Sequence, residues 1–265
     1  MITVLAVHFS VAVLAPLFFR KWGRNAFYAL AAVPAAAFVW LLFQYGPVYS
    51  EQGAVSEVIP WIPGLHLEFA FRMDPLGWVM SLLVLGVGAL VLLYCARYFK
   101  RKDQDLGAFG AQLLAFAGAM FGLVVADDLL LLFIFWELTT ILSYLLIGFA
   151  RTRLAARRSA LQALMVTTAG GLAMLVGVIM LGQAAGTYRI SAILEQAHVL
   201  VEGPSGAAVS AAVVLILVGA ITKSALVPFH FWLPGAMAAP TPASAASGVP
   251  RPTTMVRKPS WLTVP

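Results

Sequence analysis

The sequence predicts an all-α, polytopic transmembrane bundle of about seven helices, the last one broken, with its N-terminus outside. Three observations carry that prediction. The 265 residues are 62% hydrophobic and 11% charged, with a mean hydropathy of +0.92, whereas a soluble domain has about 25% charged residues. Charge-free runs of about twenty residues recur, each long enough to cross about 30 Å of hydrocarbon as a helix. The connections between the runs alternate in charge, as the loops of a multi-pass protein do.

The runs lie near 2–19, 26–45, 77–96, 108–126, 128–150, 160–185 and 206–227. After the first comes RKWGR, after the third RYFKRKDQD, and after the fifth RTRLAARR. The other three connections are not basic. Residues 46–76 hold Glu51, Glu57, Glu68 and Asp74 against Arg72, the fourth and fifth runs meet at Asp127-Asp128, and the sixth and seventh are joined through Arg189, Glu195 and Glu202. Basic loops stay in the cytoplasm, so Lys21, Lys102 and Arg158 are expected inside and Glu57 and Glu195 outside. The net charge of +6 is then a matter of membrane orientation, and no nucleic-acid partner is expected. A single cysteine, Cys95, excludes a disulfide framework or a cysteine metal cluster. The N-terminus lacks a signal-peptide pattern.

Two stretches depart from plain helix. In HLEFAFRMD, residues 66–74, apolar and polar residues alternate, which predicts an outer hairpin or extended flap. Asp74-Pro75 then reads as a helix N-cap followed by proline at the first helical position. After Lys223, SALVPFHFWLPGAMAAPTPASA carries four prolines and no Asp, Glu, Lys or Arg. It predicts a helix down to about Val227, an unwound break and a short second piece, tolerable at membrane depth only where buried in protein or lining a cavity. The final nineteen residues, SGVPRPTTMVRKPSWLTVP, cannot form a transmembrane helix. The organisation expected is two helices and an outer loop over 1–76, a transmembrane core over 77–245, and a tail over 246–265.

Few residues can carry chemistry. Glu137 lies nine or ten residues beyond Asp127-Asp128, roughly 14 Å into the bilayer at 1.5 Å per residue. A central carboxylate costs about 2.5–3.5 kcal/mol or more on insertion scales and normally has a partner and a task. Lys223 ends a charge-free stretch from Gly203 to Thr222 and stands one turn before Pro228. It is the expected partner, with reversible opening of the pair as a proton-transfer step; the bland alternative is a lysine that snorkels from a helix end. His230 falls in the break, where it can relay protons or merely donate to freed carbonyls. Asp127 and Asp128 at the outer interface read as helix caps, with ion access as the alternative. Trp136, Trp232, Phe133 and Phe135 read as packing. Gly86-Val87-Gly88 lacks the strand–turn–helix setting of a nucleotide site. No Walker lysine, HExxH motif or nucleophile elbow is found, and the task expected of Glu137 is a place on a proton or ion path, against a purely structural buried acid.

The strings FWELTTILSYLLIGF (135–149) and GAITKSALVPFHFWLPGAMAAPTPASA (219–245) resemble the antiporter-like subunits shared by respiratory complex I, membrane-bound hydrogenases and Mrp-type cation/proton antiporters. From VIPWIPGLHLEFAFRMDPLGWVMSLLV onward the likeness is to the large A-type component of Mrp antiporters, and it covers residues 1–245. The resemblance implies that Glu137 and Lys223 form the family's central charge pair and that the seventh helix is broken. It also implies exchange of Na⁺ or K⁺ for H⁺ across the cell membrane, no cofactor, and the other antiporter subunits as partners. The runner-up is a proton-translocating subunit of NADH:quinone oxidoreductase; a fragment that inserts without transporting is a third reading. The chain departs from the family at Gly235, where an acid is usual, and at Asp128, where asparagine is usual. Beyond residue 245 an eighth helix is expected, and only Met255-Val256 is similar to it. The sequence therefore reads as a truncated or frame-shifted product, with a shorter natural variant as the alternative.

Overall fold

A computed structural model describes residues 1–50, 53–62, 67–99, 105–149 and 154–236. Helix α1 (Ile2–Trp22) ends at Gly23, whose φ of 55° is a left-handed conformation that glycine adopts without steric cost, and a 3-10 turn over Gly23–Asn25 leads into α2 (Ala26–Phe43). The two helices are thereby separate crossings of one apolar run, Ile2–Phe43, the first of six runs among the described residues that are long and apolar enough to span a membrane. The remaining five are α4 (Pro75–Tyr98), α5 (Leu106–Val125), α6 (Leu129–Ile147), α7 (Leu154–Ala185) and α10 (Gly206–Lys223). Short helices α3 (Tyr45–Val48), α8 (Ile190–Glu195), α9 (Ala197–Glu202) and α11 (Leu233–Ala236) fill connections. Seven crossings were expected, and the chain is a multi-pass membrane protein. Val13, Phe43 and Leu90 are among many apolar side chains left exposed, as helices facing lipid require.

The hairpin expected in 46–76 is present. Strand β1 (Val55–Ile62) pairs antiparallel with β2 (Leu67–Met73) in the register Val55↔Met73 and Glu57↔Phe71. Asp74 caps α4, its Oδ1 accepting from the Gly77 amide at 2.7 Å, with Pro75 at the first helical position. The hairpin is fastened rather than loose. The Met1 amine lies 2.6 Å from Glu57, the Asp127 amide donates to the Ala70 carbonyl at 2.9 Å, and Phe71 and Met73 are buried. The α5–α6 turn is in turn bridged to the chain after α7: Leu129 donates to Tyr188 and Ile190 to Asp127. All three non-basic connections therefore meet at one end of the bundle. Trp78 marks the same end, donating its indole N–H to the Leu41 carbonyl and packing on Tyr45 and Tyr49, an interfacial aromatic cluster.

Two apolar clusters stack along the first five crossings. One, toward the basic end, contains Phe27, Phe99 and Phe109; the other, toward the hairpin, contains Leu41, Phe71, Phe121 and Phe135. A third cluster, with Met174, Val178, Val209 and Ala212, joins α7 to α10. These two helices approach closely because small residues line the contact: a Cβ on Gly219 would press on Met174, and one on Gly177 on the Ala212 carbonyl.

Two boundaries differ from the sequence expectation. Helix α7 starts at Leu154, six residues before 160, because Ala155, Ala156 and two arginines are good helix formers that run beyond the hydrocarbon. Helix α10 ends at Lys223 and does not reach Val227. Ala225 takes a left-handed φ of 51°, its amide donates to the Thr222 carbonyl and the Leu226 amide to that of Ile221. This paired closure finishes the helix before Pro228 could clash with it. A 3-10 turn over Phe229–Trp232 and the single turn of α11 follow. The run MAAPTPASA and the expected tail over 246–265 lie outside the described residues.

Candidate functional site

Helix α6 begins at Asp128, whose Oδ1 accepts from the amides of Leu130 and Leu131 at 2.9 Å each. That cap satisfies two of the four orphan donors at the helix start. Four leucines carry the helix inward to Trp136, Glu137, Thr139 and Thr140. Threonine is a middling helix former, but here both hydroxyls bond back to the Trp136 carbonyl, Thr139 at 2.8 Å and Thr140 at 3.1 Å. Each hydroxyl so fixed turns its lone pairs toward the neighbouring helix.

Lys223 arrives there from the last position of α10. Its Nζ donates to the Trp136 carbonyl at 2.7 Å, to Thr140 Oγ1 at 2.9 Å and to Thr139 Oγ1. An ammonium has three donors, and all three are taken. The indole of Trp136 adds a cation–π contact, its centroid 4.6 Å from Nζ. Thr139 and Thr140 are fully or almost fully buried. Lys223 does not snorkel to an interface, and Trp136, expected as packing, is part of its binding site.

Glu137 points elsewhere. Its Oε1 is enclosed without a hydrogen-bond partner and rests against Gly171 of α7, so closely that a Cβ there would overlap it. No ion pair joins Glu137 to Lys223 within 4 Å. The structure thus corrects the direct contact expected from the sequence: Lys223 of α10 docks against the turn of α6 that carries Glu137, but the hydroxyls and the Trp136 carbonyl hold the lysine while the carboxyl turns toward α7. Gly170 and Gly171 make the room, Gly170 receiving Thr222 and Gly171 receiving Glu137.

The other candidates are placed as follows. His230 is exposed on the 3-10 turn and, among the described residues, has no hydrogen-bond or ion-pair partner. The break itself is tied back by Trp232, whose indole N–H donates to the Thr222 carbonyl at 3.1 Å. Asp128 is a helix cap. Asp127 is not: its carboxylate accepts from the Ser191 amide at 2.9 Å and hydroxyl at 2.7 Å, with Arg189 at 4.0 Å, which clasps the start of α8. Among the described residues no three His, Cys, Asp or Glu side chains are grouped as a metal site would need. The sequence reading missed Thr139, Thr140 and Gly171; the available signals were two hydroxyls directly after the buried acid and a Gly-Gly pair in mid-helix.

Two cavities share Tyr144 in their walls, and Lys223 lines the smaller. The larger, about 710 Å³, is lined by Gln112, Tyr144, Gly148, Arg157 and Arg158 among others. The smaller, about 40 Å³, is lined by Thr140, Ser143, Tyr144, Thr167, Trp232 and Lys223 itself.

Comparison with known proteins places this geometry. A family model described as NADH:quinone oxidoreductase/Mrp antiporter, TM, matches residues 126–248, and one described as NADH-ubiquinone oxidoreductase (complex I), chain 5 N-terminus, matches 59–109. The chain is 45% identical over 213 residues to the A/B component of a probable K⁺/H⁺ antiporter of Rhizobium meliloti, covering 80% of this chain and 21% of that protein. It is 39% identical over 239 residues to the A component of a Na⁺/H⁺ antiporter of Alkalihalophilus pseudofirmus, covering 89% of this chain and 29% of the relative. The chain therefore spans about a quarter of the length of these curated relatives. The Mrp complex structure from Dietzia sp. DQ12-45-1b matches with a TM-score of 0.83 at 35% identity, over 92% of this chain and 26% of that one. A membrane-bound sulfane sulfur reductase shares the fold, with a TM-score of 0.77 at 19% identity. With both family models and relatives at 39–45% identity over most of its length, the chain belongs to the family of antiporter-like membrane subunits shared by NADH:quinone oxidoreductase and Mrp antiporters.

Proposed function

We propose that these residues form the part of the large A-type component of an Mrp antiporter that carries one proton-transfer pair, Glu137 and Lys223, within a multisubunit complex exchanging Na⁺ or K⁺ for H⁺. The observation that carries the reading is a lysine drawn against α6 and bound to the backbone of the residue before an acid whose Oε1 is enclosed. A lysine paired structurally with the acid would close on it; this one is held by the Trp136 carbonyl and two threonine hydroxyls. The two groups can exchange a proton only when their side chains swing together, so the pair works as a gated step. Protons reach Lys223 from the basic end along Tyr144, Ser143 and Thr140, and His230 lies outside this route. The relatives named as components of Na⁺/H⁺ and K⁺/H⁺ antiporters support the reading of the cargo.

The test is Glu137→Gln in a complete antiporter carrying this segment, with cation-dependent proton movement followed in everted vesicles at several pH values. Transport should be lost; near-normal exchange would make the carboxyl structural. The basic end is cytoplasmic in this reading. Single cysteines at 57 and 158 in a Cys95→Ala background should be labelled from outside by an impermeant thiol reagent at 57 only, and the reverse pattern would invert the topology.

A further inference from the structure

We infer that Thr139, Thr140 and Gly171 are positioning residues that hold the Glu137–Lys223 pair apart: the two hydroxyls berth the ammonium on α6, and the missing side chain at Gly171 berths the carboxyl against α7. The inference rests on the proposed transfer role of the pair and names what sets its resting geometry.

The ammonium berth is complete. Three acceptors, the Trp136 carbonyl and the two threonine hydroxyls, meet three donors, and a hydroxyl turned to the Trp136 carbonyl keeps its lone pairs for Lys223, the carbonyl being shared among its donors. A carboxylate approaching Lys223 must displace one of these acceptors. The carboxyl berth is steric. Any side chain at 171 would occupy the volume of Glu137 Oε1, so a glycine there is what lets the acid turn away from its partner. The berths lie on different helices, the ammonium on α6 and the carboxyl against α7. Among the described residues no other titratable group lies at either berth. Between Arg158 and Ala185, α7 has no Asp, Glu, His, Lys or Arg, and neither does α5 from Leu106 to Val125. On α6 the other titratable side chain is Tyr144, one turn beyond Thr140; on α10 Lys223 is the one such group; and His230 on the turn that follows is exposed.

The test uses two readouts. In this chain held in lipid nanodiscs, the ¹⁵N resonance of the Lys223 ammonium is assigned by its absence in Lys223→Met. In a complete antiporter bearing the same substitutions, transport is recorded against pH. Thr139→Val/Thr140→Val keeps the shape and removes two acceptors, so it should shift the resonance, lower transport about tenfold or more and move the pH profile. Thr139→Ser/Thr140→Ser should restore both, and Gly171→Ala should displace the ¹³C carboxyl resonance of Glu137. An unmoved Lys223 resonance and an unchanged pH profile in the double valine variant overturn the inference, as does an unmoved Glu137 resonance in Gly171→Ala. The two proposals fail separately. If Glu137→Gln transports normally while the valine variant shifts the resonance, the berth stands and the transfer role falls. If Glu137→Gln is inactive and the valine variant matches the native protein, the role stands and the berth falls.

Discussion

The carboxyls of Asp127 and Asp128 and that of Glu137 stand about two and a half helical turns apart on one stretch of chain, and they are treated in opposite ways. At the rim every bond is closed: Asp128 holds two amides of α6, and Asp127 holds an amide and a hydroxyl of α8. In mid-bundle the Glu137 Oε1 is left open while the neighbouring lysine is fully satisfied. A closed carboxylate fastens the fold, since moving it breaks bonds that nothing else replaces. An open one is tied to nothing in this way and is free of that constraint. The difference separates carboxyls that fasten two elements together from one that fastens none.

The largest expected effect falls on the open site. Lys223→Ala, like Glu137→Gln, should abolish exchange in a complete antiporter. Because both substitutions disable one working unit, the double variant should be no worse than either single one; additive losses would mean that the two act independently. Stranding a buried charge costs about 3–5 kcal/mol, less where water enters, so thermal unfolding of each variant should be measured alongside transport. At the rim the order is reversed, with stability affected and transport spared. Asp127→Ala removes two hydrogen bonds to a charged acceptor and leaves Arg189 without its partner, and should lower stability by about 2–3 kcal/mol; a thermal midpoint equal to the native one would break the comparison. Asp128→Ala removes a helix cap and should cost about 1 kcal/mol.

The smallest effect sharpens the contrast. Burial raises the Asp128 carboxyl above its ordinary value of 3.8, followed by the opposing pull of the Leu131 and Leu130 amides and the push of the Asp127 and Glu68 charges. A carboxyl raised in the folded state adds stability that is fully present below the unfolded value and lost as pH rises through the folded one. At neutral pH its charge is therefore carried at a net cost. Asp128→Asn keeps a capping oxygen and drops that charge. It should match or exceed the native thermal stability at about pH 7 and lose the margin as the pH falls toward about 4. A marked loss at neutral pH would give the Asp128 charge a role beyond the cap.

Much of this is legible in the residues. Asp74-Pro75, the alternation in HLEFAFRMD and the prolines after Lys223 act over a few positions, and each produces the cap, hairpin or break expected. The end of α10 falls earlier than expected because its closure depends on Ala225, an alanine in a conformation that glycine usually supplies. Asp127 departs from expectation for a related reason. Its partner, Ser191, is 64 residues away, and a local pattern looks the same whether an acid caps the next helix or ties down a distant one.

The sequence by itself determined the membrane class, the crossings, the alternating charge of their connections and the identity of the two charges set within apolar runs. Hydrophobic length, loop charge and the expense of a lone charge in hydrocarbon act on each segment whatever surrounds it. Only the tertiary structure decided how those charges are held. The direction in which Glu137 turns depends on a glycine of α7, and the donors of Lys223 are filled by hydroxyls of α6. Both depend on how closely helices approach, which the packing of small residues sets and no single segment contains.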